Sequence, residues 1–251
     1  MIFAWNGQEW APSQDSWPRL ADRLQVVTWN LWFDAHLRSQ RCAAISDELE
    51  QLRPQLLGFQ EATLAMLRPF FDQPWLQQEY WCTASPTSAP DSHGVVLWGR
   101  VQPEHLRRLL LPGSMGRRAL ICHLGRLQLG VVHLESLTSH QAVRRQQLEQ
   151  LWPELHTAPA ALLMGDLNFC ATSNENEHIP REFQDAWTQL HPQDPGWTLD
   201  SQRNPLLRAH RPARYDRILA RGLCLESIAL LGTQGLKSDH YGLALQARLT
   251  S

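Results

Sequence analysis

Residues 162–170 form a short apolar run that ends in polar side chains. Leu162 and Leu163 indicate a buried strand. Because side chains alternate along an extended backbone, Asp166 and Asn168 point to the same side, roughly 7 Å apart. A carboxylate beside an amide can supply a general base or metal ligand, together with a group that orients a water or a phosphoryl oxygen. The same pair is equally typical of a simple turn after a strand.

Other predicted strands also carry polar side chains at one end. They are Asn30, Glu61, His133, and the pair Asp239 and His240. Glu61 offers oxygen atoms of the kind that Mg²⁺ prefers. The imidazole of His240 can carry a positive charge and stabilise a phosphoryl oxygen. Each of these residues is also common in surface turns. A functional role for them therefore requires that the fold bring them close together.

The elements that would position these residues are strands and helices in irregular alternation. Strands are predicted at residues 24–29, 56–59, 79–84, 94–99, 106–111, 118–124, 127–133, 162–170, 214–220, 223–231 and 241–249. Helices are predicted at residues 38–52, 63–71, 140–155 and 181–190. Runs of strands with separated helices predict an α/β fold, a four-layer sandwich of two packed mixed β-sheets flanked by helices.

The remaining segments are predicted to be irregular. Residues 1–23 have no identifiable period and are expected to form an irregular lead-in, while residues 85–92, 171–180 and 191–212 are expected to be surface loops. A chain of 251 residues fits one domain or two small ones. We expect a single domain over residues 1–251.

Composition restricts the class of protein. No apolar run is long enough for a membrane span, and the N-terminus lacks a basic region followed by an apolar stretch. The five cysteines are scattered singly, which disfavours a disulfide framework and a structural zinc site. We therefore expect a monomer without membrane contact in the cytoplasm, or in the nucleus if the source is eukaryotic.

Charge gives one further hypothesis. The formal net charge of −2 provides no general attraction to nucleic acid, so such binding must come from local patches. One candidate is a basic segment opposed only by Asp216. It contains Arg203, Arg208, Arg211, Arg214 and Arg217. A solvated loop without a ligand is an equally good interpretation.

Four short motifs occur in order along the chain. They are Thr28-Trp29-Asn30, Gln60-Glu61, Gly165-Asp166-Leu167-Asn168 and Ser238-Asp239-His240. In order and spacing they resemble the motifs of the endonuclease/exonuclease/phosphatase family of metal-dependent phosphoesterases, over residues 25–249. The resemblance implies a deoxyribonuclease I-like fold and a hydrolase that acts on phosphoester bonds.

The resemblance also implies a metal site and a base. Glu61, Asn30 and Asp239 would hold Mg²⁺, with Mn²⁺ as an alternative. Asp166 would act as the general base toward the attacking water, and Asn168 would orient that water.

Further residues would act on the phosphoryl group. His240 would stabilise charge on the phosphoryl oxygens, and Asp216 would keep its imidazole protonated. His133, Ser136 and Asn204 are implied contacts for the substrate.

Within the family, residues 133–136, 197–204, 214–218 and 238–243 are similar to the tyrosyl-DNA phosphodiesterase 2 subfamily. That likeness implies hydrolysis of 5′-phosphotyrosyl DNA ends, a DNA repair reaction. Three positions depart from the vertebrate enzymes, which have arginine, arginine and tryptophan near the substrate groove. In this chain those positions are Thr138, Cys170 and Leu199.

Two alternatives stay open at this point. One is another nuclease or phosphatase of the family that acts on abasic DNA, RNA or a small phosphoester. The other is a module that binds phosphate or nucleic acid without turnover, although such proteins usually lack one of the acids or the histidine that this chain retains.

Overall fold

The computed structural model describes residues 1–88 and 94–250. Its strands are β1 (Phe3–Trp5), β2 (Trp10–Pro12), β3 (Arg23–Asn30), β4 (Leu56–Gln60), β5 (Trp81–Cys82), β6 (Val96–Gly99), β7 (His105–Leu110), β8 (Arg118–Leu124), β9 (Leu127–His133), β10 (Ala160–Asp166), β11 (Gln184–Asp185), β12 (Asp216–Arg221), β13 (Leu223–Leu231) and β14 (Gly242–Leu249). Its helices are α1 (Arg38–Leu52), α2 (Leu64–Phe71), α3 (Pro74–Glu79), α4 (Gln141–Leu155) and α5 (Ala186–Leu190), with 3₁₀ turns at Thr138–His140 and Asn174–His178. Part of the predicted 85–92 loop, residues 89–92, lies outside the described residues.

The strands form two mixed sheets. The first has eight strands in the order β13-β14-β3-β4-β6-β5-β1-β2, and the second has six in the order β11-β12-β10-β9-β8-β7. Two adjacent pairs are parallel, β3 with β4 and β9 with β10. The other pairs are antiparallel, so the predicted mixed sheets are confirmed.

The hydrophobic core lies in three layers. One cluster fills the space between the sheets and includes Val26, Leu129 and Met164. A second cluster joins the outer face of the first sheet to α1 and α2, and a third joins the outer face of the second sheet to α4. Two sheets with helices on both outer faces make the predicted four-layer sandwich.

Local sequence signals account for the helix boundaries. The side chain of Thr63 accepts a hydrogen bond from the backbone N–H of Met66 at 3.3 Å, which caps the N-terminus of α2. Helix α1 ends at Leu52, because the next residue, Arg53, has a left-handed φ of 47° and Pro54 follows it. Within the described residues, no helix is long and apolar enough to span a membrane.

Four expectations require correction. The strand expected at residues 162–170 ends at Asp166, and Asn168 has a left-handed φ of 56°, so Asp166 and Asn168 do not alternate along one extended strand. The strand expected at residues 79–84 is confined to β5, because α3 extends to Glu79.

Residues 1–23 are not wholly irregular, because β1 and β2 form an antiparallel hairpin whose first strand pairs with β5 at the sheet edge. The helix expected at residues 181–190 is confined to α5. Asp185 is extended in β11 and caps α5 by accepting from the N–H of Thr188, and Arg214 binds its carboxylate. The spacing of apolar residues along the chain does not predict this ion pair.

The strand order brings the polar strand ends to one edge of the molecule. In the second sheet, Asp166 pairs with His133 on one side and with Asp216 on the other. In the first sheet, Asn30 pairs with Gln60 at the ends of two parallel strands. These strand ends therefore meet at one edge of the two sheets.

Candidate active site

Asp166 lies at the centre of the polar cluster. Its Oδ2 atom accepts a hydrogen bond from Nδ2 of Asn30 at 3.1 Å, which joins the two sheets. Its Oδ1 atom accepts from the backbone N–H of Asn168 at 2.9 Å, and Nε2 of His133 is 3.4 Å from Oδ2. Because Asp166 is 2% exposed and surrounded by donors, its carboxylate is held in one orientation.

The backbone at this strand end is shaped for the site. Gly165 has φ of 140°, and a Cβ atom there would lie 2.0 Å from the carbonyl oxygen of Val132, so no other residue fits. Asn168 and Glu61 adopt left-handed φ values of 56° and 55°. Non-glycine residues in this region are uncommon and concentrate at functional sites.

A buried imidazole–carboxylate pair lies beside Asp166. Nδ1 of His240 and Oδ2 of Asp216 are 2.7 Å apart, and the Asp216 side chain is fully buried. Burial alone disfavours a charged imidazole, but the carboxylate of Asp216 outweighs it and raises the pKa of His240 well above its usual range. His240 is therefore held as an imidazolium, with its other nitrogen available to an anion.

The backbone of Asp216 is fixed by a residue that the sequence analysis did not select. Oγ1 of Thr198 accepts hydrogen bonds from the N–H groups of Tyr215 and Asp216, both at 3.2 Å. The carbonyl of Thr198 accepts from the N–H of Tyr241 at 2.8 Å. Thr198 thus ties the segment with the carboxylate to the segment with the imidazole.

Carboxylates crowd the other side of the site. Burial raises the pKa of Asp239 to about 6, His240 opposes that rise, and the charges of Glu61, Asp216 and Asp166 add to it. Glu61 is held by the N–H of Phe33, which donates to its Oε2 atom at 3.0 Å. Such crowding of like charges is relieved when a divalent cation binds.

Two sets of residues could hold that cation. Ligand atoms of Asp166, Asp216 and His240 all lie within 4.8 Å of one another. Both oxygens of Asp166, Oδ2 of Asp216 and Nδ1 of His240 are engaged in hydrogen bonds, whereas Oδ1 of Asp216 has no hydrogen-bond partner among the described residues.

The other set is Asn30, Glu61 and Asp239, which offers only oxygen. Oxygen donors suit a hard ion such as Mg²⁺. This set is also partly engaged, because Oδ1 of Asn30 accepts a hydrogen bond from the N–H of Trp32 at 3.0 Å. If it held the cation, Asp166 and His240 would remain to act on the substrate.

Arg117 is a second residue that the sequence analysis missed. Its guanidinium donates to Nδ1 of His133 at 2.8 Å and to Oγ of Ser136 at 3.0 Å. Because a guanidinium only donates, Nδ1 of His133 must accept, so the ring proton is on Nε2, facing Asp166. The antiparallel pairing of β8 with β9 was the available signal, since it places the start of β8 opposite the end of β9.

The structure places all but one of the predicted residues at this centre. Asn204 lies behind it and is 3% exposed. Its Nδ2 atom donates to the carbonyl of Ser238 at 2.8 Å, and its Oδ1 accepts from the N–H of Leu206 at 3.1 Å. With its amide engaged on both sides, Asn204 supports the turn at Ser238, and this placement does not favour the expected substrate contact.

Comparison with known proteins identifies relatives of this chain. The model of the Endonuclease/Exonuclease/phosphatase family matches residues 27–240. Tyrosyl-DNA phosphodiesterase 2 of Homo sapiens is 25% identical over 260 residues, which cover 93% of this chain and 70% of the human protein.

Solved structures show the same fold. The structure of D. rerio TDP2 complexed with single strand DNA product has a TM-score of 0.78 and 22% identity, over 91% of this chain and all of that one. An endonuclease/exonuclease/phosphatase family protein from Bacteroides thetaiotaomicron has a TM-score of 0.73 and 14% identity, over 91% and 95% of the two chains. With the family model matched over most of its length, the chain belongs to the endonuclease/exonuclease/phosphatase family.

Proposed function

We propose that this chain is a Mg²⁺-dependent phosphodiesterase that hydrolyses 5′-phosphotyrosyl ends of DNA. One observation carries the proposal: Asp166 of the second sheet accepts a hydrogen bond from Asn30 of the first sheet, and the His240–Asp216 pair lies beside it. The substrate is suggested by the relatives tyrosyl-DNA phosphodiesterase 2 of Homo sapiens and TDP2 of D. rerio.

Each side chain has a role that its contacts support. Asp166 accepts the proton of the attacking water, because the donors on either side orient its carboxyl group and leave lone pairs to spare. His240 donates to a phosphoryl oxygen, and Asp216 maintains its charge. A divalent cation held by Asn30, Glu61 and Asp239 would neutralise the charge that develops on the phosphoryl group.

The leaving group is consistent with this set of residues. A tyrosine phenol has a pKa near 10, far below that of a sugar hydroxyl, so it departs with little help from a general acid. The hydrogen bonds of Arg117 to Ser136 and His133 support a role for these side chains in binding phosphate oxygens.

One assay tests the proposal. The protein is incubated with Mg²⁺ and labelled oligonucleotides that carry a 5′-tyrosine, an abasic site or a 5′-phosphate. We expect product from the first, and turnover should largely disappear in Asp166→Asn and His240→Ala. Asp22→Asn and His105→Ala are the matched controls, since they make the same changes at exposed positions.

Three outcomes would contradict the proposal. Product from the abasic or phosphorylated strand alone would assign a different reaction of the same family. A near-normal rate in either active-site variant would remove the role given to that residue. Absence of product from every substrate, with or without metal, would favour a binding module.

We also propose that the described residues form one domain. The cluster between the sheets includes Leu24 near the start of the chain and Ala247 near its end. Limited proteolysis should then yield no stable fragment that lacks either terminus.

A further inference from the structure

A buried glutamate beside the active site has no part in the roles assigned so far. Glu135 lies between His133 and Ser136 in the chain and is 0% exposed. Its Oε1 atom accepts hydrogen bonds from the N–H of Ser114 at 2.8 Å, from the hydroxyl of Ser114 at 3.0 Å and from the N–H of Met115 at 3.2 Å. Burial of a carboxylate costs free energy unless donors surround it. These three donors offset that cost, and all of them come from one short segment.

That segment connects β7 to β8. We call residues 111–117 the β7–β8 loop. The N–H of Leu111 donates to the carbonyl of Arg117 at 2.9 Å and closes the loop at its base. Residues 113–116 are exposed, so apolar packing contributes little to holding the tip of the loop. The carboxylate of Glu135 therefore anchors the tip.

The tip of the loop is shaped around this carboxylate. Oε2 of Glu135 has no hydrogen-bond partner among the described residues, and it packs against Gly113. Gly113 has φ of 134°, and a Cβ atom there would lie 2.5 Å from Oε2. Gly116 also has a positive φ, 64°, but a Cβ atom there would meet no heavy atom of the described residues within 4 Å. Only the first of these two glycines makes room for Glu135.

Helix α4 holds Glu135 from the other side. The side chain of Gln147 accepts from the N–H of Glu135 at 2.9 Å and donates to the carbonyl of Pro112 at 2.7 Å. Nη1 of Arg144 donates to the carbonyls of Glu135 at 2.9 Å and Leu137 at 2.7 Å. Both of these α4 side chains are buried. Glu135 is therefore a rigid point to which the exposed loop is attached.

The β7–β8 loop ends at a residue of the active site. Arg117 donates to Nδ1 of His133 and to Oγ of Ser136. The hydroxyl of Ser136 in turn donates to Sδ of Met115 at 3.2 Å, so the tip and the end of the loop meet the same side chain. A displaced tip would carry Arg117 away from His133. The imidazole would then lose the donor that keeps its Nδ1 atom unprotonated.

We propose that Glu135 is a positioning residue that acts through Arg117. By holding the β7–β8 loop, it keeps the guanidinium on Ser136 and on Nδ1 of His133. The ring proton of His133 therefore stays on Nε2, facing Asp166. The inference rests on the proposed function, because it assigns Glu135 to the part of the site that binds phosphate oxygens. Glu135 itself does not touch the substrate.

A double-mutant cycle tests whether Glu135 acts through Arg117. Steady-state kinetics on a 5′-phosphotyrosyl oligonucleotide are measured for the wild type, Glu135→Gln, Arg117→Gln and the variant with both changes. A misplaced guanidinium loses charge-assisted hydrogen bonds to phosphate, so Glu135→Gln should raise KM by roughly tenfold and change kcat by less than about threefold. In the Arg117→Gln background, Glu135→Gln should have no further effect on KM, because the side chain that it positions is absent.

The chain offers a matched control for each change. Glu149→Gln makes the same substitution at an exposed position of α4 and should leave both kinetic constants unchanged. Gly113→Ala should raise KM as Glu135→Gln does, because the added methyl group displaces the carboxylate. Gly116→Ala adds the same group in the same loop, also at a positive φ but in open space, so KM should stay within about twofold of the wild-type value.

A spectroscopic measurement reads the position of Arg117 without turnover. Long-range proton–nitrogen correlation spectra distinguish the two neutral tautomers of histidine, and the spectrum of His133→Gln assigns the signal. The wild type and Gly116→Ala should show His133 with its proton on Nε2. Glu135→Gln and Gly113→Ala should show a mixture of tautomers.

Three outcomes would overturn the inference. One is a normal KM and a single His133 tautomer in folded Glu135→Gln. Another is an equal rise in KM caused by Glu135→Gln with and without Arg117, which would show that Glu135 acts by a different route. The third is an equal effect of Gly113→Ala and Gly116→Ala, which would assign the effect to strain in the loop.

The measurements also separate this inference from the proposed function. If circular dichroism shows that Glu135→Gln does not fold, the comparison of Gly113→Ala with Gly116→Ala decides the question. Failure of the wild type to cleave the phosphotyrosyl substrate would refute the proposed function. The tautomer of His133 in the loop variants would still confirm or overturn the positioning role of Glu135.

Discussion

Replacement of Arg41 by lysine tests how the predicted ligands of the cation are held in position. Arg41 is a fully buried residue of α1, and all five N–H groups of its guanidinium donate to backbone carbonyls. The acceptors are His36 at 2.8 Å, Leu31 at 3.0 Å, Lys237 at 3.1 Å, Trp32 at 2.9 Å and Asp34 at 2.8 Å. Four of them follow Asn30 in the chain, and the fifth precedes Ser238 and Asp239. One side chain therefore joins the two loops that carry ligands.

The cost of the change follows from the number of donors. Lysine keeps the charge but has three N–H groups, so at least two of the five buried carbonyls lose their donor. At about 1–2 kcal/mol for each unsatisfied buried acceptor, Arg41→Lys should lower the free energy of unfolding by about 2–4 kcal/mol. For a chain of this size, that corresponds to a fall in Tm of roughly 5–15 °C.

The same change should weaken binding of the cation. Since the two loops are no longer tied at a fixed distance, we expect the dissociation constant for Mg²⁺ to rise by roughly tenfold, in the range reported for groups that orient metal ligands. Isothermal titration calorimetry measures that constant below the Tm of the variant, and urea denaturation measures stability. Arg38→Lys is the control: it lies one turn earlier on α1, and its hydrogen bond to the carbonyl of Phe33 is 3.5 Å long.

Arg41→Lys with normal stability and normal Mg²⁺ affinity would refute the reasoning. Loss of stability with an unchanged dissociation constant for Mg²⁺ would show that Arg41 stabilises the fold but does not position the ligands of the cation. Equal losses of stability and Mg²⁺ affinity in Arg38→Lys would show that the effect does not depend on the five hydrogen bonds of Arg41.

Three further predictions follow from the same contacts. Asp216→Asn removes the anion that keeps His240 charged, so kcat should fall by roughly 10²–10⁴-fold in steady-state assays while circular dichroism is unchanged. Burial raises the pKa of Asp185, but Arg217 and a second arginine outweigh it and hold that pKa below its usual value. A carboxylate whose pKa is lower in the folded than in the unfolded state stabilises the fold at pH values above its unfolded pKa, and this stabilisation is lost as the pH falls through its folded pKa. Asp185→Asn should therefore destabilise the protein by about 3–5 kcal/mol at pH 7, and urea titrations should show this effect shrinking below about pH 4. Glu61→Gln should raise the Mg²⁺ concentration for half-maximal rate by roughly 10–100-fold, and EDTA should abolish turnover in the parent protein.

The sequence indicated much of the fold because its strands have clear patterns. Buried runs such as the one before Asp166 alternate with helices that have an apolar face, and the parallel neighbours of a sheet bring their ends together. That reasoning placed Asn30, His133 and Asp166 at one edge. The hairpin of β1 and β2 was missed because each strand has only three residues, too few for a period to be recognised.

Side chains that act through long-range contacts gave no local signal. Arg117 reaches His133 across 16 positions, and Arg41 reaches Lys237 across 196. The predicted neighbouring strands at residues 118–124 and 127–133 could have placed Arg117 near His133, whereas no predicted element brings Arg41 to Lys237. The basic segment shows the same limit, because the sequence cannot tell that Asp185 binds Arg214 and Arg217 while the other three arginines of the segment stay exposed.

The position of the two sheets relative to each other controls the geometry of the site. Asn30 belongs to the first sheet and Asp166 to the second, so their 3.1 Å hydrogen bond requires that the sheets approach closely at this edge. Gly58 permits that approach, since a Cβ atom there would lie 2.8 Å from Cε of Met164 and 2.9 Å from Cγ1 of Val131. Gly58 and Met164 are each two residues from a strand end that carries the site. The alignment of the catalytic groups therefore depends on the packing between the sheets. Substitutions in the inter-sheet core should alter activity as well as stability.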